Sequence, residues 1–179
     1  MLQQPDRSTP SGMRNATMML LLIDGALKVG ELVGKERLGA EIEGGLRVSD
    51  VDWKQAAVQI RSVGKPERTV GLSLATMQYV RAWVEQRPHS ELDLLFVTRR
   101  GTKVQNRYVR RMLQEYAVAA GIGEWVRPST LRKTGAARLL RETGDLREVQ
   151  QRLGLQHFAS SLRYAPLREG FMENGESSP

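Results

Sequence analysis

The chain has no cysteine and only two histidines, His89 and His157. Disulfides, thiolate zinc sites and cysteine nucleophiles are therefore excluded, and a histidine-built metal site is disfavoured. Polar chemistry falls to hydroxyls, carboxylates and a large stock of cations. There are 27 Lys and Arg against 20 Asp and Glu, for a formal net charge of +7. Such a surplus favours a polyanion through steering and counterion release. By itself it leaves nucleic-acid binding and an ordinary solvated charge excess both open. Taken singly, the reactive residues divide the same way. Tyr164 reads as a half-buried packing residue and Lys28 and Lys65 as surface lysines, while Arg132 reads as a cap on a carbonyl or the partner of an acid.

Their order in the chain carries more. Pro128-Ser129-Thr130-Leu131-Arg132-Lys133-Thr134 resembles the tyrosine recombinase (phage integrase) motif Pro-His-x-Leu-Arg-His-Thr, and its spacing to Leu153-Gly154 and to Tyr164 fits that family. Upstream, Ala26-Leu27-Lys28-Val29-Gly30-Glu31-Leu32 resembles the family's first box, usually Gly-Leu-Arg-Ile-Ser-Glu-Leu. Val63-Gly64-Lys65, followed by Glu67-Arg68-Thr69-Val70, resembles the hairpin that bears the catalytic lysine. Leu95-Phe96 and the helix with Val109-Arg110-Arg111 also fall in family order. The resemblance runs from about Arg14 to Arg168.

It implies cleavage and rejoining of double-stranded DNA through a 3′-phosphotyrosine, with no metal or other cofactor. Tyr164 is the implied nucleophile, Arg132 and Lys28 hold the scissile phosphate, Lys65 is the general acid, and Glu31 and Ser129 support them. Lys28, Lys65, Arg110, Arg111 and Lys133 are the implied DNA contacts, and His157 is an accessory candidate. Three positions depart from the family pattern. Lys28 replaces the first arginine and keeps the charge without the bidentate fork. Ser129 replaces a histidine and retains one hydroxyl donor, whereas Leu155 replaces another histidine and retains none. Loss of one such donor commonly costs about 2.7–4 kcal/mol in rate. The alternative reading is therefore a catalytically impaired, recombinase-derived DNA-binding protein; a helical protein-interaction domain is more distant.

To position these residues the sequence predicts a mainly α fold with a small antiparallel β-sheet (α+β), like a tyrosine recombinase catalytic domain. Residues 1–13 read as a disordered arm, 14–168 as the domain and 169–179 as a flexible tail in which Phe171 and Met172 are candidate anchors. A helix is expected over Asn15–Leu22, a short one over Val29–Val33, and an inserted loop over 35–45. Strands are expected at Ala57–Arg61 and Thr69–Leu72. Helices then follow from Ser73, from Asn106 to Ala120, from a Ser129 or Thr130 cap to Glu142, over Leu146–Leu153, and around Ser160–Tyr164. Trp53, Trp83 and Trp125 are assigned to the core. The family usually carries a preceding helical domain, so the chain is expected to be an excised domain or a minimal protein. The run Met18–Ile23 is too short for a membrane span. A cytoplasmic protein, assembling with copies of itself on DNA, is the expectation.

Overall fold

The most apolar stretch of the chain becomes its central helix, α1 (Pro10–Ile23), in which Met18, Met19, Leu21 and Leu22 are fully buried. In this computed structural model, residues 1–36, 42–62 and 66–168 are described. The Thr9 hydroxyl caps α1 by accepting from the Gly12 N–H at 3.1 Å, and Pro10 occupies the first turn, where its missing N–H costs nothing. That cap moves the helix start ahead of the expected Asn15. Residues 10–13, expected within a disordered arm, form its first turn, and Met1 and Leu2 pack against the main core.

A short helix, α2 (Val29–Val33), follows, then a two-stranded ribbon of β1 (Lys35–Glu36) and β2 (Ile42–Glu43). The ribbon corrects the expected loop over 35–45. Gly34, Gly44 and Gly45 take positive φ and turn the chain in and out of it, while residues 37–41 lie outside the described residues. The main sheet has the order β3 (Val51–Asp52), β4 (Ala57–Ile60), β5 (Arg68–Gly71), all antiparallel. Val58 faces Val70 and Ile60 faces Arg68, so β-branched residues line the buried side. The returning strand starts one residue before the expected Thr69. The hairpin tip, residues 63–65 with Lys65, lies outside the described residues.

Helix α3 (Leu74–Gln86) is capped by Ser73 as expected, and it packs on α1. Its Trp83 is buried, stacked against Phe96 at 6.3 Å, with its indole N–H donated to the Leu95 carbonyl at 2.8 Å. The segment around Leu94–Val97 is extended core, tied by single bridges rather than a full strand. Helix α4 (Asn106–Ala119) is locked to α1 by polar contacts: Arg14 donates to the Tyr108 hydroxyl at 2.7 Å and Asn15 to the Tyr116 hydroxyl at 3.0 Å.

Two helices and a pair of 3₁₀ segments complete the chain. Helix α5 (Pro128–Thr143) has Arg127 as its N-cap, ahead of the expected Ser129 or Thr130. Thr130 still contributes, because its hydroxyl accepts from the Arg127 N–H at 3.1 Å. Asp145 caps α6 (Leu146–Leu153) through the Arg147 N–H at 2.6 Å, and Gly154 ends it in a left-handed conformation. The expected last helix is instead 3₁₀, over Phe158–Ser160 and Leu162–Arg168 with Pro166 inside it. A second apolar cluster of Ala26, Ala136, Leu140, Val149, Leu153 and Tyr164 joins α5, α6 and this last segment.

Gly135 of α5 lies against the Ile23 carbonyl at the end of α1, where a Cβ would overlap that oxygen and its carbon. Alanine there gains about 1 kcal/mol of helix propensity. Forcing two helices apart commonly costs about 1–3 kcal/mol or more, and backbone against backbone gives least. Gly135→Ala is expected to lower the urea midpoint at unchanged slope, by the equivalent of ~1–2 kcal/mol net. An unchanged or raised midpoint would contradict this packing.

Candidate active site

Glu31 sits on α2, almost wholly buried (6% exposed), and accepts from the Arg68 guanidinium and one backbone N–H. The N–H of Lys28 reaches it at 2.8 Å, closing the helix start as a capping carboxylate does. Arg68 of β5 grips both oxygens, at 3.1 and 2.9 Å, in the forked geometry that suits guanidinium and carboxylate. The Arg132 guanidinium stands at 3.7 Å and the Lys28 ammonium at 4.0 Å. Three cations thus surround one carboxylate, and the cluster keeps a surplus of positive charge.

Arg132 (8% exposed) is on α5 and reaches across the second apolar cluster. It donates to the Ala26 carbonyl at 2.5 Å and to the Leu153 carbonyl at 2.6 Å. Of its five N–H donors these bonds use two. The reading of Arg132 as a carbonyl cap holds, and the same side chain also lines the neighbouring cleft. Ala26 meets it with φ +49, a left-handed conformation that an L side chain adopts at a cost of about 1–2 kcal/mol. This is the position where the resembling box usually has glycine.

Tyr164 (6% exposed) packs in the second cluster close to Arg132, with the Arg163 guanidinium 5.7 Å from its ring. Burial pulls the Arg132 pKa down, and Glu31 and Tyr164 only partly oppose it. For Glu31, burial alone would raise the pKa. The hydrogen bonds from Arg68 and the Lys28 N–H, with the charges of Arg68 and Arg132, outweigh that and leave it lowered.

A cleft of about 520 Å³ opens beside this cluster, lined among others by Lys28, Ser129, Arg132 and Arg110. The structure therefore brings Lys28, Ser129, Arg132 and Glu31 together, with Tyr164 against Arg132 from the buried side rather than on the cleft wall. Arg110 and Arg111 diverge. Arg110 faces the cleft, whereas Arg111 pairs with Glu115 at 3.4 Å and lines a separate basic hollow with Arg14, Lys103 and Arg107. Lys133 is exposed on α5 outside the cleft lining, and His157 is exposed at the start of the 3₁₀ segment. Leu155, in place of a histidine, packs against the second cluster. Lys65 lies outside the described residues.

Two participants were not picked out from the sequence. Arg68 is one: besides gripping Glu31 it donates to the Arg152 carbonyl at 3.2 Å, and its guanidinium lies where a Cβ on Gly154 would come within 2.8 Å. Its place after the hairpin lysine was the available signal. Trp125 is the other. It was assigned to the core but is 67% exposed on the cleft, and Trp53, also assigned there, is 40% exposed. Trp53 lies in the turn between β3 and β4 and Trp125 in the extended segment before α5, both on the surface.

Because the folded pKa of Glu31 is lowered, its ionised form stabilises the fold at neutral pH. That contribution begins to fade below about pH 4.3, the ordinary glutamate value, and is lost as pH falls through the lower folded value. Glu31→Gln removes the carboxylate while keeping its shape, and leaves Arg68 and Arg132 buried without a counter-charge. A loss of about 3–5 kcal/mol in urea unfolding at pH 7 is expected, shrinking toward acid pH. A loss that does not shrink would mean that charge is not what Glu31 supplies.

Residues 1–169 match the model of the phage integrase family. Among curated relatives, the tyrosine recombinase XerC of Chromobacterium violaceum is 33% identical over 123 residues, 68% of this chain and 41% of that protein. The XerC of Thermodesulfovibrio yellowstonii is 29% identical over 172 residues, covering 92% and 54%. The crystal structure of XerA recombinase superposes with a TM-score of 0.77 at 27% identity, over 94% of this chain and 60% of that one. XerH bound to a palindromic difH substrate, a post-cleavage complex, gives 0.80 at 19% identity, over 97% and 48%. This chain spans about half the length of the curated relatives it matches. Its fold is that of a tyrosine recombinase catalytic domain, and the chain belongs to the phage integrase family.

Proposed function

We propose that the chain is the catalytic part of a site-specific DNA recombinase that breaks and rejoins strands through a 3′-phosphotyrosine. The observation that carries this reading is Arg132 lining a cleft that also presents Lys28 and Ser129, with Tyr164 beside Arg132 on its buried side. The Tyr164 oxygen forms a bond to phosphorus as the bond to the 5′-oxygen breaks. The phenolic proton leaves to the site, and Lys65 delivers a proton to the departing oxygen. Arg132 and Lys28 offset the charge on the non-bridging oxygens, Ser129 donates one hydrogen bond, and Glu31 holds the two cations at the right spacing. No cofactor is consumed, since the tyrosyl ester stores the bond energy for the second strand. Duplex DNA is the substrate, with Arg110, Arg111 and Lys133 on flanking phosphates and His157 as an accessory donor. Solved relatives such as XerH carry DNA on the same fold. Assembly with further copies on DNA and a cytoplasmic location belong to the same proposal; among the described residues no helix is long and apolar enough to cross a membrane.

A second reading, a DNA binder with impaired chemistry, is favoured by two observations: Lys28 lacks the arginine fork, and Tyr164 is buried away from the cleft wall. A nicked suicide duplex, drawn from sequences selected for binding, separates the two. The recombinase reading expects a covalent adduct on a denaturing gel that disappears in Tyr164→Phe and falls by about 10²–10³ in rate in Arg132→Ala. Lys28→Arg should raise the rate at least ~10-fold by restoring the bidentate donor. Binding without any adduct from the unmodified protein would leave only the second reading.

A further inference from the structure

Trp125 is an indole left 67% exposed on the lining of the cleft. Backbone alternation puts it there. Val126 and Pro128 are buried while Trp125 and Arg127 point outward, as an extended segment requires. The Val126 N–H donated to the Gln114 side chain at 3.2 Å pins that segment next to the tryptophan. Among the described residues no ring or cation lies on the Trp125 faces. Trp53, the other exposed indole, is covered by the Arg81 guanidinium 5.3 Å from its ring, and Trp83 is buried. The cleft below Trp125 is lined by the cations Lys28, Arg110, Arg127 and Arg132 and by no carboxylate.

An exposed tryptophan alone is unremarkable on a protein surface. Here it lines a cleft with four cations, and that combination is how proteins hold unstacked nucleotides: cations track the phosphates while a rigid ring takes the base face. We propose that Trp125 is a stacking platform for a nucleobase that leaves the duplex stack beside the phosphate held at Arg132. In an intact duplex both faces of each base are already stacked, so this contact becomes available where a strand has been opened. Trp125 then favours the opened strand over the closed one, which makes it a positioning residue for strand exchange. This rests on the DNA reading above.

The test uses the full chain with Trp53→Phe, so that Trp125 reports over the constant background of buried Trp83. Twenty-nucleotide oligo-dT, a 20-base-pair dA·dT duplex, and that duplex with one unpaired thymine are titrated by fluorescence and, with labelled DNA, by anisotropy. The proposal expects strong quenching by oligo-dT and by the bulged duplex and little by the closed duplex. Trp125→Ala should weaken the first two on the order of 10- to 100-fold, the scale of one stacked base, and closed-duplex binding less than about threefold. Trp125→Phe should recover most of the loss. Equal weakening on all three DNAs, unchanged binding, or quenching that follows protein concentration without DNA would overturn the platform while leaving DNA binding intact. Failure of the unmodified chain to bind any of the three at low salt would remove the DNA reading itself.

Discussion

A single buried carboxylate organises the centre of this protein. Glu31 on its own would be expensive to bury ionised, and its desolvation is the largest effect acting on it. It stays charged because β5 delivers Arg68 in a two-pronged grip, α5 delivers Arg132, and its own helix start contributes an N–H. Three parts of the chain far apart in sequence are thereby fixed to a common point. Removing any one cation would leave the remainder still paired. Removing the acid would set buried positive charges against one another, so the dependence runs one way.

Arg132 extends that arrangement toward Tyr164. Two of its donors are spent on the carbonyls of Ala26 and Leu153, which tie the first box to the end of α6. The remaining donors face Glu31, Tyr164 and the cleft. A guanidinium held on both sides by backbone cannot swing with a substrate, and rigidity of this kind is what pre-organised charge stabilisation needs. Its lowered pKa still leaves it a cation, because arginine does not deprotonate in proteins. The net surplus of positive charge around Glu31 suits a neighbouring anion.

Much of this was legible in the residues, and the exceptions have physical causes. The helices were read from apolar spacing, and Ser73 and Asp145 from their capping chemistry, because both signals are local. The family boxes placed Lys28, Glu31, Ser129, Arg132 and Tyr164 in order, and all except Tyr164 surround or line one cleft. The early start of α1 escaped because Thr9 and Pro10 sit among residues that otherwise look unstructured. The last helix escaped because Pro166 and the tight turns before it favour 3₁₀ bonding over the regular ladder. Arg68 and Trp125 were missed for a common reason. Neither a partner 37 residues away nor an indole left 67% exposed is written in local spacing.

Gly154 gives one further consequence. It was read as a helix terminator, and its φ of +59 is what such a terminator requires. A Cβ at this position would also press on the Arg68 guanidinium from beneath. Stereochemistry at a turn is therefore tied to the ion pair: a single methyl group at 154, electrically neutral and outside the cleft lining, would require the Arg68 guanidinium to shift from its place on Glu31. The dipeptide Leu153-Gly154 acts as a spacer whose thickness sets an ion-pair distance.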